Sequence, residues 1–378
     1  MIRPGTEPVA SPGWTGKPRD GIAIIDCDVH QNVTKLEDLL PYLPRIYREH
    51  FLDQGIPMPS AGYFNVSLRA VRSDLSDAQE QDPYDGRDFC STYEFLRDRH
   101  LDPWNIDYAL LTASPGLYGV CVLPDVDYAA ALCRSMNDLT LEKWIPRDKR
   151  LKMCLMVSPS DPSQAAKEVD RLGDRLEVVG VIVPTAAQMP YGNRFYHPLW
   201  EACERRGLAV FVHPGAVGAG IAPPLSAVGY PTYYMEERMA RPSQASAHCT
   251  SLICEGVFER FPGLRFAFIE VQQYWAVGLM WHMDADWKML RYQTPWLKKL
   301  PSEYFRQHIR VGSQPLHEPK RPQQLFEMLD AMYAEETMIY CSDFPHYDWG
   351  DPQTTFPRLP DRLHQRIFAD NARELLGL

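Results

Sequence analysis

The chain has 378 residues, of which 45% are hydrophobic and 23% charged, a balance that excludes wholesale disorder. It carries 39 basic against 49 acidic residues, a formal net charge of −10. Nucleic acids and anionic membranes attract basic surfaces, so this charge argues against either as a partner and favours a small-molecule substrate. The 33 prolines predict many fixed turns and long ordered loops.

The sequence predicts neither a membrane span nor a signal peptide. No apolar stretch approaches the roughly 18 residues that a transmembrane helix needs. Residues 1–20 contain four prolines and no apolar segment, and we interpret them as a loosely ordered arm. The nine cysteines form no C-x-x-C pair, and several lie inside apolar runs, which indicates reduced thiols and a cytoplasmic location.

Short apolar runs alternate with amphipathic segments along the rest of the chain. Eight runs are rich in Val, Ile, Leu, Phe and Tyr, and we predict them as strands: 21–27, 106–113, 151–157, 178–183, 208–212, 264–269, 308–311 and 338–341. Most are continuous rather than alternating, as expected for parallel strands covered on both faces. Helical patterns lie between them, at 161–176, 198–206, 246–261 and 361–376. This order predicts an α/β fold, a closed (β/α)8 TIM barrel.

Two connections are too long to be simple crossovers. Residues 31–105 separate the first two strands, and residues 214–245 follow the fifth. Loops of this length are commonly functional, and their aromatic residues and prolines favour ordered lid segments. We therefore predict a single barrel domain over 21–378, with insertions at about 31–105 and 214–245.

The residues that end the predicted strands suggest a metal site. Catalysis in such barrels takes place at the carboxyl ends of the strands. Asp28 and His30 end the first strand two residues apart, so both side chains point to one side. His213 ends the fifth strand, Glu270 the sixth and Asp343 the eighth. Because three buried carboxylates would repel one another, the five residues predict one divalent ion, zinc in the first place, with manganese or iron as alternatives.

Other polar residues near these strand ends are candidates for substrate contact or proton transfer. His248 is predicted either to donate a proton or contact substrate, or to be a hydrogen-bonded structural histidine. His346, just after Asp343, belongs either to the site or to a structural turn. Arg241, like Arg238, would anchor a substrate carboxylate or else be solvated. The remaining histidines are expected to be structural or exposed: His50, His100, His197, His282, His308, His317 and His364.

These strand ends resemble the amidohydrolase superfamily, in particular the branch that contains aminocarboxymuconate-semialdehyde decarboxylase. The matching stretches are IIDCDVH (24–30), FVHPG (211–215), SLICEGVFERFPGLRFAFIE (251–270), YCSDFPHYD (340–348) and FADNARELLGL (368–378). The resemblance implies a distorted TIM barrel with one catalytic divalent metal, and a homodimer. The family's first motif is usually H-x-H, whereas Asp28 takes the first place here. Glu270 stands where strand six often carries a histidine.

Three functions are compatible with this pattern. In the first, a metal held by the predicted ligands lowers the pKa of a bound water, and Asp343 acts as general base. The protein would then be a hydrolase of a small aromatic or carboxylated molecule, which Glu270 favours. The second is a nonoxidative decarboxylase of the same substrate class, in which an acid in the pocket protonates carbon. The third is a non-catalytic binding protein, against which the presence of Asp343 argues.

Overall fold

The computed structural model of the protein describes residues 23–33, 36–54, 82–86, 90–113, 115–224, 226, 228–317, 319–346 and 348–378. The predicted arm at 1–20 lies outside these residues, as does part of the first long connection.

Eight parallel strands form one sheet, in which each strand pairs with the next in chain order. They are β1 (Ile25–Val29), β2 (Tyr108–Leu111), β3 (Leu151–Met156), β4 (Val178–Pro184), β5 (Ala209–His213), β6 (Phe266–Phe268), β7 (Ile309–Gly312) and β8 (Met338–Ile339). Backbone bonds join the last segment to the first: Cys27 N donates to Tyr340 O at 3.0 Å, and Asp343 N donates to Asp28 O at 3.1 Å. The predicted (β/α)8 TIM barrel is therefore confirmed.

The strands differ from the predicted runs mainly at their ends. The first run was predicted at 21–27, whereas β1 is Ile25–Val29 and all five of its residues are buried. Asp28 therefore lies within the strand rather than after it. The apolar pattern of the sequence indicates which residues are buried. Backbone pairing between strands can nevertheless continue through a buried polar residue whose side chain is hydrogen-bonded. At the other end of the sheet β8 has only two residues.

Helices and short 3₁₀ or π turns surround the barrel. The α-helices are α1 (Arg45–Gln54), α2 (Tyr93–Leu96), α3 (Val126–Lys143), α4 (Pro162–Leu172), α5 (His197–Arg206), α6 (Tyr234–Cys254), α7 (Val257–Arg260), α8 (Trp275–Leu290), α9 (Pro301–His308), α10 (Pro322–Ala331), α11 (Ala334–Thr337), α12 (Asp361–Gln365) and α13 (Asn371–Leu376). The 3₁₀ helices are Leu36–Tyr42, Pro115–Val122, Ile145–Arg147, Arg194–Tyr196 and Arg291–Gln293; the π turns are Arg97–Leu101 and Arg366–Asp370. The predicted helix at 361–376 is α12 and α13, joined by the second π turn.

The prediction for the second long connection was partly wrong. The helix predicted at 246–261 begins at Tyr234, so α6 includes the end of the predicted loop 214–245. Glu236 caps its start, because Oε2 accepts the backbone N–H groups of Thr232 and Tyr233 at 2.8 and 2.7 Å. The interior Pro242 suggested a loop, since proline disfavours helix interiors. Packing offsets that cost, because one face of α6 is buried: Arg241, Pro242, Ala245, His248, Cys249, Leu252 and Ile253.

Two further sequence predictions concern the thiols and the membrane. All nine cysteines are free thiols, and eight of them are buried, as predicted. Within the part of the chain that the structure describes, no helix combines the length and the apolar character needed to cross a membrane.

Candidate metal centre

Four predicted ligands meet at the carboxyl end of the barrel. Asp28, His30, His213 and Asp343 each offer a ligand atom, and these four atoms lie within 4.8 Å of one another. Asp28 belongs to β1, His30 follows it, His213 ends β5, and Asp343 follows β8. All four side chains are buried. The strands thus bring together residues that are up to 315 positions apart in the numbering. Their position at the strand ends had predicted that they lie at the same end of the barrel.

Both histidines have the orientation that a metal ligand needs. His30 Nδ1 donates to the Ala113 carbonyl oxygen at 2.8 Å, and His213 Nδ1 donates to that of Pro214 at 2.6 Å. A carbonyl partner at Nδ1 fixes the tautomer whose lone pair is on Nε2. Nε2 of His30 lies 3.0 Å from Asp343 Oδ1 and 3.4 Å from Asp28 Oδ1. These nitrogens therefore face the carboxylates of the cluster.

Three buried atoms of this cluster lack a hydrogen-bond partner among the described residues: Asp28 Oδ2, Asp343 Oδ2 and His213 Nε2. The last lies 3.0 Å from Glu270 Oε2, but without acceptable hydrogen-bond geometry. Leaving buried polar atoms unpaired costs free energy, and a cation would satisfy all three at once. Oxygen and imidazole donors in this number suit a divalent ion, so the residues fit the predicted metal.

Glu270 lies at the edge of the cluster and is paired with Arg241. Its Oε1 accepts a hydrogen bond from Arg241 Nη1, and both side chains are buried. Burial raises the pKa of Glu270, but the guanidinium outweighs this and holds the pKa well below its usual range. Arg241 Nη2 also donates to Glu237 Oε2 at 3.0 Å. The arginine predicted to bind a substrate carboxylate thus contacts two carboxylates of the protein itself.

His346 lies beside the same cluster. Its Nδ1 is 2.5 Å from Asp343 Oδ1, and its ring is 4.5 Å from the ring of His30. Burial lowers the pKa of His346, but Asp343 outweighs it and the net shift is upward. Glu270, Asp343 and His346 form a second group whose ligand atoms lie within 4.8 Å of one another. His346 is therefore placed where it can exchange a proton with Asp343.

His248 lies apart from these groups. Its Nε2 donates to the Thr185 carbonyl oxygen at 2.9 Å, and its Nδ1 accepts the Tyr191 N–H at 3.2 Å. The ring stacks on Tyr191 with the centroids 4.3 Å apart. Burial lowers the pKa of His248 to about 4. The imidazole is thus neutral near pH 7 with both nitrogens hydrogen-bonded to the backbone, and its predicted catalytic role stays a prediction.

Other buried residues, which no sequence pattern indicated, hold the predicted ligands in place. Thr112 Oγ1 donates to Asp28 Oδ1 at 2.7 Å. Asp26, two residues before Asp28 in β1, is fully buried and lies 2.7 Å from the Nε2 of His100. His100 was predicted to be structural or exposed, and the structure shows it buried and hydrogen-bonded to Asp26. The spacing of Asp26 and Asp28 is visible in the sequence, but nothing there connects His100 to them.

Three of the turns that follow strands have an unusual backbone conformation. Ala113, Glu270 and Asp343 have φ values of 68°, 54° and 63°, in the left-handed region that residues other than glycine rarely adopt. They follow β2, β6 and β8. Such conformations persist where the surroundings enforce them, and they concentrate at functional sites. Here they place three groups at the cluster: the Ala113 carbonyl, which accepts the hydrogen bond of His30, and the carboxylates of Glu270 and Asp343.

A parallel eight-stranded barrel with buried histidines and aspartates at its carboxyl end defines a metal-dependent (β/α)8 enzyme. The chain belongs to the amidohydrolase family, whose family model, described as "Amidohydrolase", matches residues 25–378. This confirms the family membership predicted from the strand-end motifs.

Known proteins similar to this chain include several decarboxylases. Gamma-resorcylate decarboxylase of Rhodococcus jostii (strain RHA1) is 22% identical over 273 residues, 66% of this chain and 76% of the relative. 2-Amino-3-carboxymuconate-6-semialdehyde decarboxylase of Dictyostelium discoideum is 22% identical over 174 residues, 46% of each chain. A solved structure with the same fold is 5-carboxyvanillate decarboxylase from Novosphingobium aromaticivorans DSM 12444, complexed with manganese and 4-hydroxy-3-methoxy-5-nitrobenzoic acid. Its TM-score is 0.66 at 19% identity, covering 95% of this chain and 97% of the other.

Proposed function

We propose that this protein is a metal-dependent, nonoxidative decarboxylase of a small aromatic carboxylate. Hydrolysis was the first prediction from the sequence, but the similar proteins named above are all decarboxylases, which favours the alternative. The observation that carries the proposal is the contact between Asp343 and His346 beside a cluster that fits a divalent ion. That pair can hold the proton that decarboxylation requires.

The proposed cofactor is one divalent ion held by Asp28, His30, His213 and Asp343, with Glu270 as a further ligand. Manganese is the first candidate, because a carboxylate-rich donor set suits a hard, octahedral ion. The similar Novosphingobium structure contains manganese. Zinc and iron are the alternatives. When bound, such an ion supplies positive charge that stabilises the substrate oxygens and the electrons left on the ring.

The chain itself supplies the proton. In a nonoxidative decarboxylation the bond between ring and carboxylate breaks, carbon dioxide leaves, and the bonding electrons remain on the ring carbon. A proton must then be added to that carbon. Asp343 Oδ1 and His346 Nδ1, 2.5 Å apart, share a position where one proton can be stored and delivered. Burial of Asp343 limits competing water, so the proton comes from the protein.

Isotope labelling distinguishes decarboxylation from hydrolysis. Protein loaded with Mn²⁺ is incubated with 2,6-dihydroxybenzoate, 5-carboxyvanillate and related hydroxybenzoates, in D₂O and separately in H₂¹⁸O. We expect release of carbon dioxide, one deuterium on the ring carbon of the product, and no ¹⁸O in the ring product. Asp343→Asn serves as the inactive control. Incorporation of ¹⁸O into an organic product without carbon dioxide would favour the hydrolase instead.

We also propose a homodimer. The helix α8 and the turn after it carry large apolar side chains that are mostly exposed in the single chain, with Trp281 65%, Met289 69% and Tyr292 71% exposed. Apolar groups of this size in one region are typical of protein interfaces. Light scattering after size exclusion should give twice the chain mass, and Trp281→Glu should reduce it. A monomer at micromolar concentration would contradict the dimer but not the enzymatic proposal.

A further inference from the structure

Asp26 is a buried carboxylate that is not a candidate ligand, because both of its oxygens already have partners. Oδ1 accepts the backbone N–H of Ser342 at 2.8 Å and that of Asp28 at 3.2 Å. Oδ2 lies 2.7 Å from His100 Nε2, which donates to it. The side chains of Asp26 and His100 are both 0% exposed. Burying a carboxylate is costly and makes it depend on these hydrogen bonds, so its presence calls for a reason beyond packing.

The pair lies where β1 meets β8 and the residues that follow β8, at the seam that closes the barrel. β8 has only two residues, so few regular bonds hold this part of the barrel together. The segments meet instead through single bonds such as His30 N to Phe344 O, at 2.8 Å. Asp26 adds a carboxylate that spans the seam. It binds the amide of Asp28 on one side and, on the other, the amide of Ser342, which directly precedes Asp343.

His100 reaches the same seam from the π turn Arg97–Leu101. Besides its bond to Asp26, its ring stacks on Phe344, with the centroids 4.6 Å apart and the planes 12° from parallel. The His100 ring therefore contacts residues next to both predicted aspartate ligands. Asp26 lies two residues before Asp28, and Phe344 directly follows Asp343. The left-handed conformation of Asp343, with φ of 63°, needs such support from its neighbours.

We propose that Asp26 and His100 form a positioning pair that sets the separation of Asp28 and Asp343 and thereby determines the affinity for the divalent ion. Neither residue belongs to the groups of clustered ligand atoms. The inference rests on the proposed metal centre, and it concerns how the protein holds that centre rather than what the centre does. Residues that orient ligands in this way typically change metal affinity by about 10- to 100-fold when replaced.

Asp26→Asn tests the pair, and Asp107→Asn is a control that also removes a carboxylate bound to the first strand region. Asparagine keeps the size of Asp26 but replaces one acceptor oxygen by an NH₂ group. Asp107 Oδ2 also accepts a backbone N–H of the first strand region, that of Ile24 at 2.7 Å, but at the end remote from the ligands. Mn²⁺ affinity is measured by competition with a chelator, and the free energy of unfolding is measured without metal. We expect Asp26→Asn to lower the affinity about 10- to 100-fold and Asp107→Asn to leave it unchanged.

A second pair of variants covers the possibility that Asp26→Asn does not fold. His100→Gln keeps a donor near the Nε2 position, whereas His100→Ala removes it. We expect the alanine variant to lose affinity and the glutamine variant to recover most of it. The visible spectrum of Co²⁺-loaded protein should change in the alanine variant, because it reports ligand geometry.

The possible results separate this inference from the function proposed above. Wild-type affinity and Co²⁺ spectrum in both Asp26→Asn and His100→Ala would overturn the positioning role alone. A loss of affinity that the Asp107→Asn control shares would also overturn it, since it would indicate general destabilisation. Wild-type protein that binds no divalent ion would overturn the metal centre as well.

Discussion

Arg241 and Glu270 form a buried ion pair between α6 and the end of β6, at the edge of the metal-ligand cluster. The other oxygen of Glu270 lies 3.0 Å from His213 Nε2. One carboxylate thus connects a cation of the helix with a predicted ligand of β5. The pair explains how a buried glutamate is accommodated beside the cluster, because Arg241 balances its charge.

Replacing Arg241 by methionine should destabilise the protein, because it leaves the Glu270 charge buried without its main partner. Removing one member of a buried pair typically costs about 3–5 kcal/mol in the free energy of unfolding, measurable with urea. The double variant Arg241→Met/Glu270→Gln should recover part of this loss. As a control, Arg45→Met breaks the exposed pair with Glu49 and should change little. An Arg241→Met protein as stable as wild type would contradict the importance of the pair.

Replacing Asp343 by asparagine should reduce turnover by about 10²- to 10⁴-fold, the usual contribution of a proton-transfer group. The variant should fold, but without metal it should be less stable than wild type at neutral pH, since it removes the charge that His346 and His30 stabilise and that keeps the pKa of Asp343 below its usual range. Asp284→Asn in α8 is the control, since its carboxylate contacts Ser302 rather than the cluster. Turnover within a factor of two of wild type would exclude the role assigned to Asp343.

Metal binding should release protons. Burial lowers the pKa of His30, but Asp28 and Asp343 outweigh this and raise it to about 9. Burial raises the pKa of Asp28 to about 6. A ligand must lose its proton before it binds a metal, so the affinity should rise with pH up to about 9, with about one proton released at pH 7.5. Titration calorimetry in two buffers with different ionisation enthalpies measures this number. The exposed His282→Gln variant should release the same amount, and no release from wild type would contradict the ligand role of His30.

His248 should make the protein less stable in acid. Its pKa in the folded protein, about 4, lies below the ordinary 6.5, so the native state binds fewer protons than the unfolded state between these values. The stability that it contributes is complete above pH 6.5 and is lost as the pH falls toward 4, about 3 kcal/mol for a shift of this size. His248→Gln should reduce this loss of unfolding free energy at low pH. The part of the loss that remains would come from His308, whose pKa burial also lowers to about 4.

The matched measurement for His248 is the free energy of unfolding at pH 4.5 and 7 for wild type, His248→Gln and the exposed variant His282→Gln. An equal decrease in the free energy of unfolding from pH 7 to pH 4.5 in all three proteins would show that His248 does not titrate as its burial indicates. Turnover of His248→Gln tests the separate prediction that this histidine donates a proton.

The sequence predicted the barrel because continuous apolar runs recur at the right intervals, and it predicted the ligands because parallel strands place their ends at one edge. Strand-end position alone was enough to predict His30 and His213 as candidate ligands. The start of α6 could not be predicted in the same way. Pro242 disfavours a helix locally, and only burial of Arg241 and His248 against the barrel, which is a tertiary contact, compensates for it.

The excess of proline illustrates the same limit. It suggested ordered loops, yet Pro242 lies within a helix and Pro162, Pro198 and Pro301 lie in the first turns of α4, α5 and α9, where the missing N–H costs nothing. Proline count alone cannot distinguish a stiff loop from a helix start.

The sequence by itself determined the fold class, the family and the four residues that meet at the carboxyl end of the barrel, because these follow from local patterns of burial and from which residues end the strands. Only the tertiary structure decided which side chains support and neutralise the ligands. Arg241 reaches Glu270 across 29 positions, and His100 reaches Asp26 across 74. Such partners depend on distances between elements that are remote in the chain, and no local pattern records those distances.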